Sequence, residues 1–181
     1  MNVVFLDIDG VLNTFIWEYN DYGELRVSMN HYSSGTVNNF QAVCWLNELY
    51  RLYDFSIVIT SVWKKDVSSI EKMQQILENS GMRQIPVIGF TKTERDVKNK
   101  KYFPRGREIK KYLEEHPEIT SFVILDDNCD MEELESHLVL CDTYFGYGTQ
   151  QWKKTCKLFA AQGVKEREEK LPYIKKKEMI R

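Results

Sequence analysis

The sequence lacks a long apolar run, and it is poor in the residues that build soft-metal sites. No stretch approaches the roughly 20 apolar residues that a membrane-spanning helix requires. No basic and then apolar leader precedes the first strand pattern, so we expect a cytoplasmic protein. Three histidines and four cysteines, without any C-x-x-C spacing, form no recognisable zinc pattern. The cysteines are therefore expected to be reduced thiols.

Internal repeats and low-complexity tracts are also absent, and the composition is that of a globular protein. The chain has 181 residues, of which 43% are apolar and 13% aromatic. This length suits one domain with a single core, which we place at residues 1-163, followed by a charged tail at 164-181. The net charge is only −2, but residues 92–111 hold nine Lys or Arg against three Asp or Glu. This basic segment could bind a polyanion or be an ordinary solvated surface.

The first thirteen residues, MNVVFLDIDGVLN, combine a strand pattern with two acids. The apolar run at residues 3–6 is typical of a strand that is buried on both faces in a parallel sheet. Asp7 and Asp9 follow at its carboxyl end, and Gly10 allows the backbone to turn there. Open α/β sheets bind their ligands at this edge, so the pattern predicts that both carboxylates lie in a functional site.

Two later apolar runs also end in polar residues. Residues 55–59 are followed by the hydroxyl residues Thr60 and Ser61. Residues 121–125 are followed by the acids at 126 and 127. Adjacent carboxylates repel each other unless a cation compensates them, so a hard divalent ion with oxygen ligands is the economical explanation for this pair.

The segments between these strands have the periodicity of helices. Apolar residues recur at helical spacing in 37–53, and further helices are predicted near 68–81, 104–116 and 149–161. Strands that alternate with helices predict an α/β fold, namely a doubly wound, mainly parallel Rossmannoid sheet with helices on both faces.

Residues 14–36 lack helical periodicity and hold a turn sequence between two apolar runs. We therefore predict a hairpin-like flap or minimal cap in this segment. Aromatic side chains in the flap could contact a substrate or pack the flap onto the body, and we expect packing. These aromatic residues are Trp17, Tyr19, Tyr22 and Tyr32.

Together these patterns resemble the haloacid dehalogenase-like (HAD) superfamily of phosphohydrolases, from residue 1 to about residue 148. The D-x-D-G stretch at 7–10 matches the first motif of that superfamily. A hydroxyl after the second strand, a basic residue at the start of a helix and two acids after the third strand match the other three motifs in order. The shorter patterns FLDIDGVLN, TSVWK, RGREI and ILDD look most like the HAD domains associated with RNA-repair proteins.

The resemblance implies a catalytic role for several residues. It makes Asp7 the nucleophile that forms an aspartyl-phosphate, and Asp9 the general acid and base. It makes Ser61, with Thr60 as the alternative, the hydroxyl that binds the transferring phosphoryl group. Arg105 would pair with the nucleophile and stabilise the charge that develops on the phosphoryl oxygens.

Other basic residues have implied roles in substrate binding. Lys101 and Arg107 are alternatives to Arg105 as the basic residue of the third motif. Lys64 stands where one branch of the superfamily has an arginine in an S-x-W-R pattern. A lysine there can supply a positive charge, although it lacks the bidentate fork of arginine.

The resemblance also implies a Mg²⁺ cofactor. Its ligands would be the Asp7 carboxylate, the backbone carbonyl of Asp9 and the Asp127 carboxylate. Asp126 would act through water or as a second ligand. Asp130 could support the metal site or cap a helix, and the sequence leaves both alternatives open.

The sequence is compatible with three functions. The first is a Mg²⁺-dependent phosphatase. The second is a haloacid dehalogenase, which is disfavoured because Asp9 retains an acid that dehalogenases of the superfamily lack. The third is a catalytically idle binding module that keeps the fold.

The substrate of a phosphatase is predicted from the limited room for a cap domain. An open crevice beside the basic segment favours a phosphorylated nucleic-acid end, and a small phosphorylated metabolite is the alternative. The residues expected to contact backbone phosphates are Lys98, Lys100, Lys101, Arg105 and Arg107.

Overall fold

The computed structural model describes residues 1–29, 35–67, 69–93, 95–96 and 101–167. Its centre is a five-stranded sheet in which every neighbouring pair of strands is parallel. In spatial order across the sheet, the strands are β5 (Val87–Phe90), β4 (Ser56–Ile59), β1 (Asn2–Leu6), β8 (Ser121–Asp126) and β9 (Leu138–Leu140).

Helices cover both faces of this sheet, as the alternating pattern predicts. On β1, Val4 and Leu6 belong to one buried cluster, and Val3 and Phe5 belong to the other. The first cluster includes residues of α1 (Phe40–Leu52), α2 (Ile70–Asn79) and α4 (Thr149–Ala161), whereas the second includes residues of α3 (Arg105–Glu115). Because these strands are buried on both faces, their sequences are continuous apolar runs. The predicted doubly wound α/β fold is confirmed.

Two of the helices, α1 and α2, begin at residues whose side chains accept hydrogen bonds from backbone N–H groups of the first turn. The Asn39 side chain accepts a hydrogen bond from the Ala42 amide at the start of α1. At the start of α2 the cap is Ser69, which accepts from the Lys72 amide. The sequence pattern predicts a helix from about residue 68, a position that lies outside the described residues. After α2, Gly81 has a φ of +89°, which ends the helix where the sequence predicts.

Two small antiparallel hairpins stand apart from the main sheet. The predicted flap is confirmed as β2 (Phe15–Tyr19) paired with β3 (Leu25–Met29). The expectation that its aromatic residues pack onto the body is wrong for Tyr19 and Tyr22, whose surfaces are 75% and 88% exposed. The side chain of Trp17 and all of Tyr32 lie outside the described residues.

The second hairpin was not predicted. It pairs β6 (Arg95–Asp96) with β7 (Lys101–Tyr102), and it lies between β5 and α3 along the chain. Two-residue strands carry too little hydrophobic alternation to be recognised in a sequence. A 3₁₀ helix, Val62–Lys65, follows β4, and another, Glu132–His137, lies between β8 and β9.

The first residues of the predicted tail contact the domain. The Arg167 amide donates to the Leu52 carbonyl, and the Tyr53 hydroxyl bonds to the Glu166 carboxylate. Residues 168–181 lie outside the described part of the chain. Among the described helices, none has the length and apolar character needed to cross a bilayer.

Candidate active site

The two acidic motifs meet because β1 and β8 are neighbours in the sheet. Leu6 pairs with Leu125, and the Asp7 amide donates to the Leu125 carbonyl at 2.9 Å. From β1 the chain runs to β4 on one side, and from β8 it runs to β9 on the other. The crevice at such a reversal of strand order is where open α/β sheets bind ligands. Both acidic motifs therefore lie at the expected edge of the sheet.

Asp7, Asp126 and Asp127 form what we call the central acidic cluster. One carboxylate oxygen from each residue lies within 4.8 Å of the others. Burial, followed by the neighbouring charge of Asp7, raises the pKa of Asp126 to about 7. Burial also raises the pKa of Asp127, although a hydrogen bond from the Thr143 hydroxyl opposes this. A divalent cation with a preference for oxygen ligands fits these three carboxylates and would relieve their repulsion.

Arg105 joins two members of the central acidic cluster. Its Nη1 atom lies 2.7 Å from Asp7 Oδ2 and 2.7 Å from Asp126 Oδ2. Burial alone would lower the pKa of Arg105, but the two carboxylates raise it above its ordinary value. The guanidinium is thus permanently charged and adjacent to the predicted nucleophile, where a phosphoryl group would be transferred.

The start of α3 fixes the position of Arg105. Asp130 Oδ2 accepts a hydrogen bond from the Arg105 amide at 3.1 Å, and the Asp130 carbonyl accepts from the Gly106 amide. A Cβ atom on Gly106 would overlap the backbone carbonyl of Met131. The sequence left open whether Asp130 supports the metal site or caps a helix. These contacts show that it caps a helix, namely α3, which precedes it in the chain.

Asp9 is held outside the central acidic cluster by two side chains. The Trp63 indole N–H lies 3.0 Å from both carboxylate oxygens, and Asn13 Nδ2 donates to Oδ1 at 2.8 Å. Burial raises the pKa of Asp9, while the hydrogen bonds from Asn13 and Trp63 partly oppose that rise. Neither Trp63 nor Asn13 was identified from the sequence as a site residue, because their contact with Asp9 depends on how two turns fold.

The two hydroxyl residues after β4 have different surroundings. Ser61 Oγ accepts from the Trp63 amide at 3.4 Å and caps the 3₁₀ helix that follows. Thr60 Oγ1 is buried and has no hydrogen-bond partner among the described residues. Thr60, together with Arg105, lines a cavity beside the site. The Thr60 hydroxyl is thus open to a ligand, and the Ser61 hydroxyl can still donate to one because its contact with Trp63 uses it only as an acceptor.

That cavity has a volume of about 210 Å³ and contains both polar and apolar groups. This is smaller than the roughly 300–1,000 Å³ typical of pockets that enclose a whole ligand. It therefore has room for only part of a large substrate. Its lining includes Thr60, Val62, Lys64, Phe103, Arg105 and Glu108.

Lys64 lies at this cavity, but it is already engaged. Its Nζ atom donates to Glu108 Oε2 at 2.6 Å and to Thr91 Oγ1 at 2.9 Å. The side chains of Lys64 and Glu108 are only 8% and 7% exposed. Burial lowers the pKa of Lys64, and the hydrogen bond and charge of Glu108 oppose that effect. Glu108 follows Arg105 by one helical turn, so it connects the 3₁₀ helix after β4 to the start of α3.

The remaining predicted substrate-binding residues are less fully placed. Arg107 is exposed, and its guanidinium carbon lies 4.0 Å from the centre of the Phe103 ring. Lys101 belongs to β7, but its side chain is outside the described part of the structure, as are Lys98 and Lys100 entirely.

Two further residues contact the central acidic cluster, and only one of them has a signal in the sequence. Gly10 has a φ of +76°, and a Cβ atom there would overlap the Asp127 carboxylate. The sequence signal for Gly10 was its place directly after the two acids. Thr143 Oγ1 donates to Asp127 Oδ2 at 2.8 Å, and no motif indicated this contact.

A known family of protein domains matches most of the chain. The model of the HAD domain in Swiss Army Knife RNA repair proteins matches residues 3–151. No curated protein and no solved structure was found to match the chain. The matched range includes every residue of the central acidic cluster together with Asp9, Trp63 and Arg105. The chain belongs to the family of HAD domains found in Swiss Army Knife RNA repair proteins.

Proposed function

We propose that this protein is a Mg²⁺-dependent phosphatase that hydrolyses a phosphomonoester through an aspartyl-phosphate on Asp7. The observation that carries the proposal is the position of Arg105, which lies 2.7 Å from both Asp7 and Asp126. A fixed cation beside a carboxylate nucleophile stabilises the negative charge of a transferring phosphoryl group. Membership of a HAD family supports the same general chemistry.

The central acidic cluster supports the choice of cofactor. Asp7, Asp126 and Asp127 would hold Mg²⁺, together with the Asp9 carbonyl proposed from the sequence. The bound ion would neutralise part of the charge of the phosphoryl oxygens and of the three carboxylates. Because Asp126 is also paired with Arg105, we expect Asp127 to be the more direct ligand of the two.

In the first step, an Asp7 carboxylate oxygen attacks phosphorus and the bond from phosphorus to the leaving oxygen breaks. Asp9 gives its proton to that leaving oxygen, so the product departs as a neutral alcohol. Arg105 and the Thr60 hydroxyl, which has no hydrogen-bond partner in the described part of the chain, bind the phosphoryl oxygens during the transfer.

In the second step, the ionised Asp9 takes a proton from a water molecule. The oxygen of that water attacks phosphorus, the bond between phosphorus and Asp7 breaks, and phosphate is released. Asp9 then carries a proton again, and Asp7 is restored as a free carboxylate.

For the substrate, we propose a phosphorylated nucleic-acid end. The cavity of about 210 Å³ can enclose little more than the group next to the phosphate, so the rest of a substrate would extend into solvent. The described residues of the flap form one hairpin, which is too small to enclose a small molecule as a cap domain would. A small phosphorylated metabolite is the competing substrate, and it would have to bind without such enclosure.

A phosphatase screen tests the general proposal. Purified protein with Mg²⁺ is given 4-nitrophenyl phosphate, mononucleotides, sugar phosphates and 5′- or 3′-phosphorylated oligonucleotides, and phosphate release is measured. We expect turnover that EDTA and Asp7→Asn both abolish. Absence of turnover on every substrate would contradict the phosphatase proposal and support an idle binding module.

The substrate proposal is tested by salt dependence. Turnover of a phosphorylated oligonucleotide should exceed that of the matching mononucleotide at low salt, and its advantage should fall steeply as salt rises. Neutralising Lys98, Lys100 and Lys101 together should remove much of that advantage. Equal turnover of both substrates, unaffected by these changes, would contradict the nucleic-acid proposal and leave the phosphatase proposal standing.

A further inference from the structure

Trp63 makes an unusual contact for a tryptophan that is part of a hydrophobic core. Only 4% of its surface is exposed, and it belongs to the larger of the two buried clusters. Its indole N–H nevertheless points at Asp9, at 3.0 Å from each carboxylate oxygen. A buried indole N–H requires an acceptor, but the acceptor here is the predicted general acid and base.

The backbone around Trp63 leaves its indole little freedom. The 3₁₀ helix Val62–Lys65 begins directly after the Thr60-Ser61 turn, and Ser61 caps it through the Trp63 amide. The Trp63 carbonyl accepts from the amides of Asp66 and Val67 at 3.0 and 2.8 Å. Core packing on the side chain and three hydrogen bonds on the backbone therefore fix the direction of the indole N–H.

Asn13 holds the same carboxylate from the other side. It is fully buried, and its backbone accepts from the Gly10 amide and donates to the Ile8 carbonyl. Its Nδ2 atom donates to Asp9 Oδ1 at 2.8 Å. Oδ1 thus accepts from both Asn13 and Trp63, whereas Oδ2 shares the Trp63 N–H. Oδ2 therefore receives fewer of these hydrogen bonds than Oδ1, and it is the oxygen more available to another hydrogen-bonding group.

We propose that Trp63 is a positioning residue that holds the Asp9 carboxylate in the orientation from which Oδ2 gives its proton to the leaving oxygen. This inference rests on the proposed phosphatase activity, and it adds a residue that controls the protonation of the leaving oxygen by Asp9. Trp63 touches neither the phosphoryl group nor the nucleophile in this scheme. Its effect must therefore depend on how much the leaving group needs a proton.

The test compares two substrates of similar shape that differ in this need. The nitrophenolate of 4-nitrophenyl phosphate departs readily without a proton, whereas the phenolate of phenyl phosphate is a much poorer leaving group. Release of the leaving group is measured in a single turnover with enzyme in excess, which separates this step from the later attack by water. The variants are Trp63→Phe, which removes the N–H, and Trp45→Phe as the matched control.

Trp45 is a suitable control because it is a partly buried tryptophan on α1 that packs against Trp152, with ring centres 5.4 Å apart. We expect Trp63→Phe to slow release from phenyl phosphate by roughly tenfold or more, and release from 4-nitrophenyl phosphate by less than about threefold. Trp45→Phe should change both rates by the same small factor.

Packing at Trp63 is controlled with the benzothiophene analogue of tryptophan, introduced at this position by codon suppression. The analogue replaces the N–H by sulfur in a side chain of nearly the same shape, so it tests the hydrogen bond even if Trp63→Phe does not fold. It should reproduce the selective loss on phenyl phosphate. Equal slowing of both substrates by the analogue would overturn the positioning role, whereas no turnover by the wild-type protein would instead contradict the phosphatase proposal.

Discussion

At the scale of single residues, the site depends on charges that are buried together. Arg105 is paired with Asp7 and Asp126, and Lys64 is paired with Glu108. Burying an ion costs several kcal/mol unless its partner and its hydrogen bonds compensate. The removal of one partner is therefore more harmful than the removal of both.

The Lys64–Glu108 pair gives a prediction about stability. Lys64→Met should lower the free energy of unfolding by about 3–5 kcal/mol, because it leaves the Glu108 carboxylate buried without its cation. Adding Glu108→Gln to this variant should recover a large part of the loss. Urea unfolding of the single and double variants measures both effects. A double variant less stable than Lys64→Met alone would show that the buried charge is not the cause.

Contacts between individual residues were the part of the structure that could be predicted least well from the sequence. The two acidic motifs and Arg105 could be placed because each follows a recognisable strand end or helix start. The different surroundings of Thr60 and Ser61 could not be predicted from the sequence, since they depend on the turn that Ser61 caps. The contact between Trp63 and Asp9 joins two turns 54 residues apart, and no local pattern indicates it.

At the scale of elements, the position of the first turn of α3 places Arg105 beside the central acidic cluster. The boundaries of α3 and α4 were predictable, because a proline or glycine precedes a clear helical pattern in each case. The short hairpin of β6 and β7 was not, since it has only two residues in each strand. What the sequence did not show for α3 is its close packing onto the loop after β8, which requires Gly106.

Gly106→Ala should be destabilising although alanine favours helices. The helix propensity of alanine would contribute about 1 kcal/mol in its favour. The new Cβ atom would overlap the Met131 backbone carbonyl, and overpacking of this kind costs about 1–3 kcal/mol. Because relief of the overlap moves the first turn of α3, turnover should also fall by roughly tenfold or more.

The control for this prediction is Gly148→Ala at the start of α4. A Cβ atom there would meet the Gln151 side chain at 3.6 Å, an ordinary contact, so turnover should change little and stability should fall only by the roughly 1 kcal/mol that alanine costs at a helix N-cap. Chemical unfolding and phosphate release measure the two properties in both variants. If Gly106→Ala is as active and stable as the Gly148→Ala control, the close packing does not position Arg105.

At the scale of the whole molecule, the central acidic cluster makes folding depend on pH and on divalent cations. The folded state raises the pKa of Asp126 to about 7 and also raises that of Asp9 and Asp127. Between the ordinary carboxylate pKa and these raised values, the folded state binds more protons than the unfolded state. The free energy of unfolding must then decrease as pH rises through this interval.

In EDTA, the melting temperature should accordingly fall between about pH 5 and about pH 7.5. Carboxylates with a lowered pKa, such as the partly exposed Glu48 beside Arg51, complete their ionisation below this interval and do not reverse the trend. Asp126→Asn should flatten the dependence, because its side chain cannot ionise. If the melting temperature of the wild type instead rises across this interval, the raised pKa values of the central acidic cluster do not control the pH dependence of its stability.

Addition of Mg²⁺ should raise the melting temperature, because an ion that binds only the folded protein stabilises it by mass action. The increase should be larger at about pH 7.5 than at about pH 5, because the ion binds ionised carboxylates in preference to protonated ones. Asp127→Ala should remove most of this response. Differential scanning fluorimetry with and without millimolar Mg²⁺ measures it. An equal response in Asp127→Ala and wild type would exclude Asp127 as a ligand.

The measurement that most directly tests the central claim is the identification of the phosphorylated residue. The Asp9→Asn variant is mixed with 4-nitrophenyl phosphate and Mg²⁺, quenched in acid and digested, and its peptides are examined by mass spectrometry. We predict a phosphoryl group on Asp7, which accumulates because the good leaving group needs no proton while attack by water needs the missing base. The same experiment on a protein carrying both Asp7→Asn and Asp9→Asn should show none. Phosphorylation of a different residue, or turnover by Asp7→Asn equal to that of the wild type, would contradict the account.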